Sequence, residues 1–379
     1  MFPILFIDVI MSLIQTLKTH LKQVHEIPFV EFMQCALYSP AEGYYSSGLQ
    51  KLGSQGDFTT APELTPLFGQ VIANQCQQIL TQVESPTLFE YGAGTGRLCA
   101  DILKHLEQQN CLPEKYFILE VSANLRHRQQ EWIKQEIPHL AHLVTWLDSW
   151  PDQAFNGVIL ANEVLDAMPI HRFMLSDEGV LESYITLDAQ NELIETFKPS
   201  QNERLITYVK ERLTLQSPYL SEVNLFLDDW ISNNYRILNQ GAVLLIDYGF
   251  PRHEYYHSDR KQGTLMCHYH HHAHTNPLEH PGEQDITAHV DFTHVAEAGQ
   301  TAGFHIAGYT NQASFLLSNG LLSLMSSIEN KHEQIKETQA VKQLIQPSEM
   351  GELFKVIALT KNLDIDLNGF QLHDKRVSL

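Results

Sequence analysis

Apolar residues recur along the chain at two spacings, and these spacings predict alternating helices and strands. Helical spacing predicts helices over residues 13–24, 28–36, 65–83, 98–106 and 123–134. Short apolar runs that end in a polar residue predict four buried strands, over residues 87–89, 115–120, 143–147 and 157–161. Strands that alternate with helices in this way predict a doubly wound α/β sheet, with its ligand site at the carboxyl ends of the strands.

The second half of the chain predicts additions to this sheet. The next core strand, over residues 242–247, follows only after an insertion that holds a hairpin over 171–187 and helices over 203–213 and 222–238. Residues 248–291 are polar and predict an ordered excursion over the site. Beyond them we expect helices over 290–302, 313–325 and 326–342, a strand over 304–307, an antiparallel last strand over 354–360 and a loose tail after Asn362.

Three glycines follow the first strand at a spacing that suits a nucleotide-like ligand. Gly92, Gly94 and Gly96 come directly after a strand that ends in Glu90, and a helix follows them. A glycine turn between strand and helix lets backbone N–H groups approach a ligand closely. The dinucleotide fingerprint would place its third glycine at Arg97, which disfavours an NAD-dependent oxidoreductase. The spacing found here, with an acid two residues upstream, resembles motif I of the class I methyltransferases that use S-adenosylmethionine (SAM). A glycine-rich turn in another α/β protein is the competing interpretation.

Polar residues at the ends of the later strands favour SAM as the ligand. Glu120 lies 24 residues beyond Gly96, near the place where nucleotide-binding folds keep a carboxylate for the ribose hydroxyls. Asp148 ends the third strand, and we place it beside the adenine. An acid after a strand is common by itself, so the prediction depends on the ordered series Glu90, Glu120, Asp148 and Asn162.

The segment after the fourth strand holds three residues that we assign to catalysis: Asn162, Glu163 and Asp166. Methyl transfer requires an aligned nucleophile and removal of its proton, so positioning dominates the chemistry. The carboxylates of Glu163 and Asp166 suit a bidentate grip on a guanidinium and can accept the released proton. The alternative is a helix start, with Asn162 as its N-cap and Asp166 in its first turn.

Composition and charge narrow the class of protein. A formal net charge of −20 argues against nucleic-acid binding as the main role. The five cysteines are scattered and never form C-x-x-C, which indicates a reducing compartment. The apolar run over residues 1–10 is too short to span a bilayer, and no arginine precedes Arg97, which argues against a mitochondrial transit peptide. We expect Met11 to be the natural start, and the protein to be a bacterial cytoplasmic enzyme.

Histidines cluster next to Cys267, but their spacing matches no metal-binding signature. The cluster consists of His268, His270, His271, His272 and His274. We predict no metal ion at these residues. His272 is a candidate to line the substrate cleft instead.

Seven segments together resemble the MidA-like family of SAM-dependent methyltransferases, whose mitochondrial members are the complex I assembly arginine methyltransferases. They cover residues 56–69, 90–97, 161–169, 247–249, 263–265, 284–292 and 350–356. The most specific three read GDFTTAPELTPLFG, ANEVLDAMP and QDITAHVDF. The stretch 269–273 departs from the pattern, because an arginine is expected among its histidines.

The resemblance implies a class I, Rossmann-like SAM-dependent methyltransferase fold with an N-terminal helical extension and large insertions. We place the extension, which contributes to the site, at residues 1–85. The methyltransferase domain is placed at 86–379, with substrate-side insertions at about 170–240 and 248–290. SAM binding then falls on Gly92, Gly94, Gly96 and Glu120. The loop around Asp57, Phe58 and Thr60 faces the reaction centre, and we assign Asp57 to catalysis and Thr60 to cofactor binding.

The leading hypothesis is transfer of a methyl group from SAM to an arginine side chain of a partner protein. The mitochondrial relatives suggest a respiratory complex I subunit as that partner. A small-molecule or other N-methyltransferase is the first alternative. The second alternative is an assembly factor that uses the fold as a binding module. The sequence predicts no membrane span and leaves open whether the chain forms a homodimer.

Overall fold

The computed structural model describes residues 12–47, 59–270 and 272–379, which form sixteen strands and fourteen α-helices. The strands are β1 Glu26–Pro28, β2 Pro86–Tyr91, β3 Lys115–Leu119, β4 Val144–Leu147, β5 Phe155–Asn162, β6 His171–Ser176, β7 Gly179–Leu187, β8 Leu193–Pro199, β9 Tyr219–Val223, β10 Leu238–Phe250, β11 Met266–Tyr269, β12 His272–His274, β13 Asp285–Thr287, β14 Val290–Asp291, β15 His305–Asn311 and β16 Phe354–Lys361. The helices are α1 Leu13–Val24, α2 Phe29–Tyr38, α3 Ala61–Leu64, α4 Pro66–Leu80, α5 Arg97–Gln108, α6 Ala123–Glu136, α7 Glu203–Arg212, α8 Leu227–Ile237, α9 Arg252–Tyr255, α10 Phe292–Ala302, α11 Gln312–Ser318, α12 Leu321–Ser326, α13 Lys331–Ile345 and α14 Met350–Leu353.

The larger of two compact units, with described residues in 59–168, 224–260 and 287–379, is built on one twisted sheet. Its strand order is β15-β16-β10-β5-β2-β3-β4, and β14 pairs with the end of β10. The strands β4, β3, β2, β5 and β10 are parallel, whereas β16 runs antiparallel to both its neighbours. Alternate side chains enter opposite layers: Leu88 packs in one apolar core and Phe89 in the other. The predicted doubly wound, class I fold is therefore confirmed.

The smaller unit, with described residues in 12–47, 169–223 and 261–286, has a separate antiparallel sheet. Its central strand, β7, pairs with β6, β1 and β8, and β9 extends the sheet beyond β6. The amphipathic helix α1 buries Leu13, Leu17 and Leu21 in this unit. The predicted hairpin over 171–187 corresponds to β6 and β7.

Most predicted elements are present, but three predictions were wrong. The helix expected over 222–238 begins only at Leu227, because Glu222 is buried in β9, where it accepts a hydrogen bond from the backbone N–H of Thr264 at 3.0 Å. The helix expected over 313–325 is split into α11 and α12 at Gly320, whose φ of 89° ends a right-handed helix. The tail after Asn362 is packed against the fold: Phe370 is buried, and the N–H of Gly369 donates to Oε1 of Gln75 at 2.9 Å.

The helices of the described residues are all too short or too polar to span a membrane.

Candidate active site

The glycine turn connects β2 to α5 at the carboxyl edge of the parallel strands. The φ angles of Gly92, Gly94 and Gly96 are +57°, +53° and +89°, a region that side chains with a Cβ enter only at a cost. The N–H of Gly92 donates to the carbonyl of Leu119 at 3.0 Å and joins the turn to the end of β3. The structure therefore provides the open backbone that the sequence predicted.

Glu63 fixes this turn from α3. One oxygen of its carboxylate accepts a hydrogen bond from the Thr95 hydroxyl. The other oxygen forms an ion pair with Nε of Arg97 at 3.1 Å. The guanidinium of Arg97 also lies 4.8 Å from the ring centroid of Trp132. The sequence pattern indicated no role for Arg97 in holding this turn, and it did not mark Glu63 because nothing in the local pattern links two residues so far apart.

Gln129, on α6, is the second residue that sequence reasoning missed. Its side chain is fully buried, and Nε2 donates to the carbonyl of Gly94 at 3.0 Å and to Oε2 of Glu120 at 2.9 Å. Its Oε1 accepts from Nε1 of Trp146 at 2.9 Å. One amide therefore joins the glycine turn to the ends of β3 and β4. A glutamine within a polar helix gives no sequence signal for this role.

Glu120 ends β3 as a buried carboxylate, and Oε1 accepts the N–H of Ser122 at 2.9 Å. Burial raises its pKa above the ordinary range, and the hydrogen bonds from Ser122 and Gln129 oppose that increase. The next residue, Val121, exposes 72% of its surface although it is apolar. An exposed valine beside the predicted ribose acid offers an apolar face to a base, and its position directly after a strand-terminal acid is the signal that could have found it.

Asp148 lies at the end of β4, as expected, with 90% of its side chain exposed. Its carboxylate pairs at 2.8 Å with Arg126, which also donates to the carbonyl of Leu147 at 2.8 Å. Thr60 is the N-cap of α3 in extended conformation, and its side chain makes no capping hydrogen bond. Asp57 and Phe58 lie outside the described residues, so the assignments of Asp57 and Phe58 stay predictions.

Glu90 is buried, and its Oε2 accepts a hydrogen bond from the Tyr116 hydroxyl at 2.8 Å. Burial raises its pKa to about 7, against the hydrogen bond from Tyr116, which lowers it. A carboxyl in this environment supports the strand beneath the glycine turn. Its predicted contact with the cofactor stays a prediction.

Residues 163–168 form an irregular turn after β5, which ends at Asn162, and this described segment contains no helix before β6. The alternative of an N-cap and a first helical turn is therefore wrong. Glu163 adopts a φ of +53°, and its Oε1 accepts from Nδ2 of Asn162 at 3.1 Å. Asp166 is buried, with Oδ2 accepting from the Tyr248 hydroxyl at 2.5 Å. Strained backbone of this kind is typical of functional sites.

The predicted cofactor segment and the predicted catalytic segment lie side by side. A methyl group built on Gly92 would come within 3.7 Å of Cγ2 of Val164. Oδ1 of Asn162 and Oδ1 of Asp166 are buried and accept no hydrogen bond from the described residues. Such acceptors are available to a ligand with N–H or O–H groups.

The histidine cluster belongs to the small sheet of β11, β12 and β13. His272 is exposed on β12, and His271 lies outside the described residues. Among the residues that the structure describes, no three histidine, cysteine or acidic side chains are arranged to hold a metal ion.

Comparison with known proteins identifies the class to which this fold and site belong. Residues 71–310 match a family model described as "Putative S-adenosyl-L-methionine-dependent methyltransferase". In sequence the chain is 28% identical to the mitochondrial protein arginine methyltransferase NDUFAF7 of Danio rerio, with 92% of this chain and 86% of that protein aligned. The corresponding Drosophila melanogaster homologue is 27% identical, over 92% and 84%.

A solved structure agrees with the sequence match. The crystal structure of a "likely methyl transferase" from Burkholderia thailandensis bound to S-adenosyl-homocysteine superposes with a TM-score of 0.92. It is 39% identical in sequence and covers 97% of this chain and 96% of its own. The chain belongs to this family of SAM-dependent methyltransferases, and SAM is its cofactor. The MidA-like assignment made from the sequence is confirmed.

Proposed function

We propose that this methyltransferase modifies an arginine side chain of a partner protein. The observation that carries the proposal is the turn after β5, which holds the carboxylates of Glu163 and Asp166 and approaches the glycine turn at Val164. Support also comes from the relatives in Danio rerio and Drosophila melanogaster, which are protein arginine methyltransferases by name.

Carboxylates suit a guanidinium because its planar N–H groups match two acceptor oxygens. A protonated guanidinium must also lose a proton before its nitrogen can accept a carbon substituent. Burial raises the pKa of Asp166, which makes this carboxylate a better proton acceptor than an exposed one. Glu163 and Asp166 therefore have the chemistry to orient the arginine and to receive its proton.

The residues of the glycine turn and of the segment after β3 fit the cofactor. Gly92, Gly94 and Gly96 leave room for close backbone approach, and Glu120 offers a carboxylate for the ribose hydroxyls. Val121 offers its exposed apolar face to the adenine. When bound, SAM supplies an electrophilic methyl group. We keep Thr60 and Asp148 as further candidates for cofactor binding, and Asp57 as a further candidate for catalysis.

A respiratory complex I subunit is the first partner to test, as the resemblance to the mitochondrial family implied. The choice between an arginine and a small molecule depends on what the labelled product is. We therefore expect purified enzyme, tritiated SAM and a protein extract from cells that lack this gene to yield labelled methylarginine after acid hydrolysis. A Glu163→Gln variant should lose this label by about a hundredfold or more, because positioning and proton transfer both suffer.

Glu107→Gln is the matched control, because Glu107 is an exposed acid of α5 that pairs with His139 at the surface. This variant should transfer as much label as the unmodified enzyme. Calorimetric titration with S-adenosylhomocysteine should give the same affinity for all three proteins. Label found only in small molecules, or only in amino acids other than arginine, would overturn the proposal and favour another N-methyltransferase.

A further inference from the structure

Three backbone N–H groups of the catalytic turn converge on one oxygen of Asp247. The donors are Val164 at 3.2 Å, Leu165 at 2.9 Å and Asp166 at 3.2 Å, and all three reach Oδ2. The other oxygen, Oδ1, accepts the N–H of Tyr248 at 2.9 Å. Three of these four donors tie the end of β10 to the turn that follows β5, and the fourth lies within β10 itself.

The chemistry of these contacts requires a carboxylate. Both oxygens act as acceptors, so an asparagine would have to direct its NH₂ group at a backbone N–H. Asp247 is fully buried, and burial together with the charges of Asp166 and Glu163 raises its pKa well above the ordinary range. The fold keeps an acid where burial disfavours its charge, which indicates that the acceptor geometry is needed.

The turn that Asp247 holds is strained and is held at several further points. Glu163 has a φ of +53°, and its N–H donates to the carbonyl of Ile246 at 2.9 Å. At the other end, the carbonyl of Asp166 accepts the N–H of Ala288 at 3.0 Å. A non-glycine residue stays in this backbone region only when its surroundings over-determine it.

Tyr248 connects the same corner to the Asp166 side chain. Its hydroxyl donates to Oδ2 of Asp166, while its ring meets His289 edge to face at a centroid distance of 5.1 Å and Phe354 at 5.4 Å. The titratable groups that face Asp166 are therefore Asp247 and Tyr248, with Glu163 on the same turn and His289 behind the tyrosine ring. One end of β10 thus controls both the backbone of the turn and the direction of one carboxyl.

We propose that Asp247 and Tyr248 are positioning residues for methyl transfer: Asp247 fixes the backbone of residues 163–166, and Tyr248 orients the carboxyl of Asp166. This inference rests on the proposed role of Glu163 and Asp166. Neither residue belongs to the glycine turn or to the cluster around Glu120, so we expect cofactor affinity to change little when they are substituted.

Two substitutions separate positioning from a general effect on the fold. Asp247→Asn should lower kcat by about a hundredfold, because a small displacement of reacting groups has an effect of that size. The KM for the protein substrate and the affinity for S-adenosylhomocysteine should not change. Asp101→Asn is the matched control for the turn after β5, since Asp101 is a largely buried acid of α5 whose pKa is raised by burial and whose charged neighbours, Lys104 and Arg97 among them, include no residue of that turn.

Tyr248→Phe gives a readout that a structural role would not move. The tyrosine hydrogen bond lowers the pKa of Asp166, so its removal should shift the acidic limb of the kcat profile to higher pH, by about one pH unit. Asp247→Asn leaves the hydrogen bond from Tyr248 to Asp166 in place, so it should not move the limb by a comparable amount. Tyr309→Phe, which removes a buried hydroxyl that bonds to none of the described residues, should shift nothing.

Hydrogen–deuterium exchange tests the same inference without any activity. Amides in a peptide covering residues 163–168 should exchange faster in Asp247→Asn than in the unmodified protein or in Asp101→Asn. Unchanged exchange in Asp247→Asn would overturn the inference even if the enzyme methylates arginine. Faster exchange in an enzyme that methylates no arginine would count against the proposed substrate and leave Asp247 as the support of this turn. An equal shift of the acidic limb in Tyr248→Phe and Asp247→Asn, or no shift in Tyr248→Phe, would overturn the role of Tyr248.

Discussion

The glycine turn after β2 and the acidic turn after β5 lie side by side but are built on opposite principles. The glycine turn has its glycines in left-handed backbone and an exposed valine nearby, so it offers backbone and surface to a ligand. The acidic turn has Glu163 in the same left-handed region, where a side chain is strained, and it is held by the buried carboxylate of Asp247. We expect the first to bind its ligand through open backbone, and the second to bind through side chains that are fixed in place.

This difference separates what is bound from what is modified. The glycine turn needs only a shape that accepts a nucleotide-like ligand, which many proteins of this fold share. The acidic turn must hold charged groups at defined positions against their tendency to seek water, which requires specific partners from β10. Substrate choice should therefore depend on the acidic turn, and cofactor affinity on the glycine turn.

The largest expected effect is loss of cofactor binding in Gly94→Val. The φ of Gly94 is +53°, and valine is branched at Cβ, so the turn must change its backbone or remain strained. Calorimetric titration should show that affinity for S-adenosylhomocysteine falls by more than about a hundredfold. In the control Gly179→Val the glycine φ is also positive, at +125°, but a Cβ there meets nothing within 4 Å. Gly179→Val should bind S-adenosylhomocysteine normally. Normal binding by Gly94→Val would show that the open backbone of the glycine turn does not determine cofactor affinity.

The sequence predicted the glycine turn better than the acidic turn for a physical reason. Three glycines between an apolar strand and a helix are a local pattern, and the backbone requirement is written in adjacent residues. The acids at the strand ends were also found, because parallel strands bring their carboxyl ends to one edge. Asp166 was assigned to the site, but its backbone is held by Asp247, which lies 81 residues further along the chain.

Long-range support explains the remaining failures. Glu63 and Gln129 hold the glycine turn from α3 and α6, and no periodicity marks either residue. Glu222 was placed in a helix because its neighbours are compatible with one, whereas in the fold it is satisfied by Thr264 from a distant segment. The C-terminal tail was predicted to be loose because it contains a single phenylalanine, Phe370. In the fold the Phe370 ring packs against Phe315, with 5.5 Å between the ring centroids. Tertiary contacts decided each of these cases.

A second prediction concerns Glu90, the buried acid of β2 that precedes the glycine turn. Glu90 has a pKa of about 7 in the fold, against an ordinary value of 4.5. Below pH 4.5 the carboxyl is protonated in both states. As pH rises from 4.5 to 7 the unfolded chain ionises first, so stability is lost over this window and stays low above it. Glu90→Gln should therefore raise the free energy of unfolding at pH 8, by at most about 3 kcal/mol, and have no effect near pH 4.

Chemical denaturation at the two pH values measures this difference. Glu131→Gln is the control, because Glu131 is an exposed residue of α6 whose side chain is 63% accessible. An equal change in both variants would show that burial of Glu90 does not control the pH dependence. A loss of stability at pH 8 would show that the Glu90 charge is used in the fold, as we infer for Asp247.

The smallest effect is expected for Gln129→Leu. This variant tests most directly whether the glycine turn and the acidic turn act independently. The substitution leaves Nε1 of Trp146 and Oε2 of Glu120 without their present partner and releases the carbonyl of Gly94. Affinity for S-adenosylhomocysteine should fall about tenfold, whereas kcat at saturating SAM should not change, because Gln129 makes none of its contacts with the acidic turn. Gln75→Leu removes an equally buried glutamine that binds the C-terminal tail through Gly369, so it should lower thermal stability without changing that affinity. A fall in kcat for Gln129→Leu would show that the two turns act as one unit.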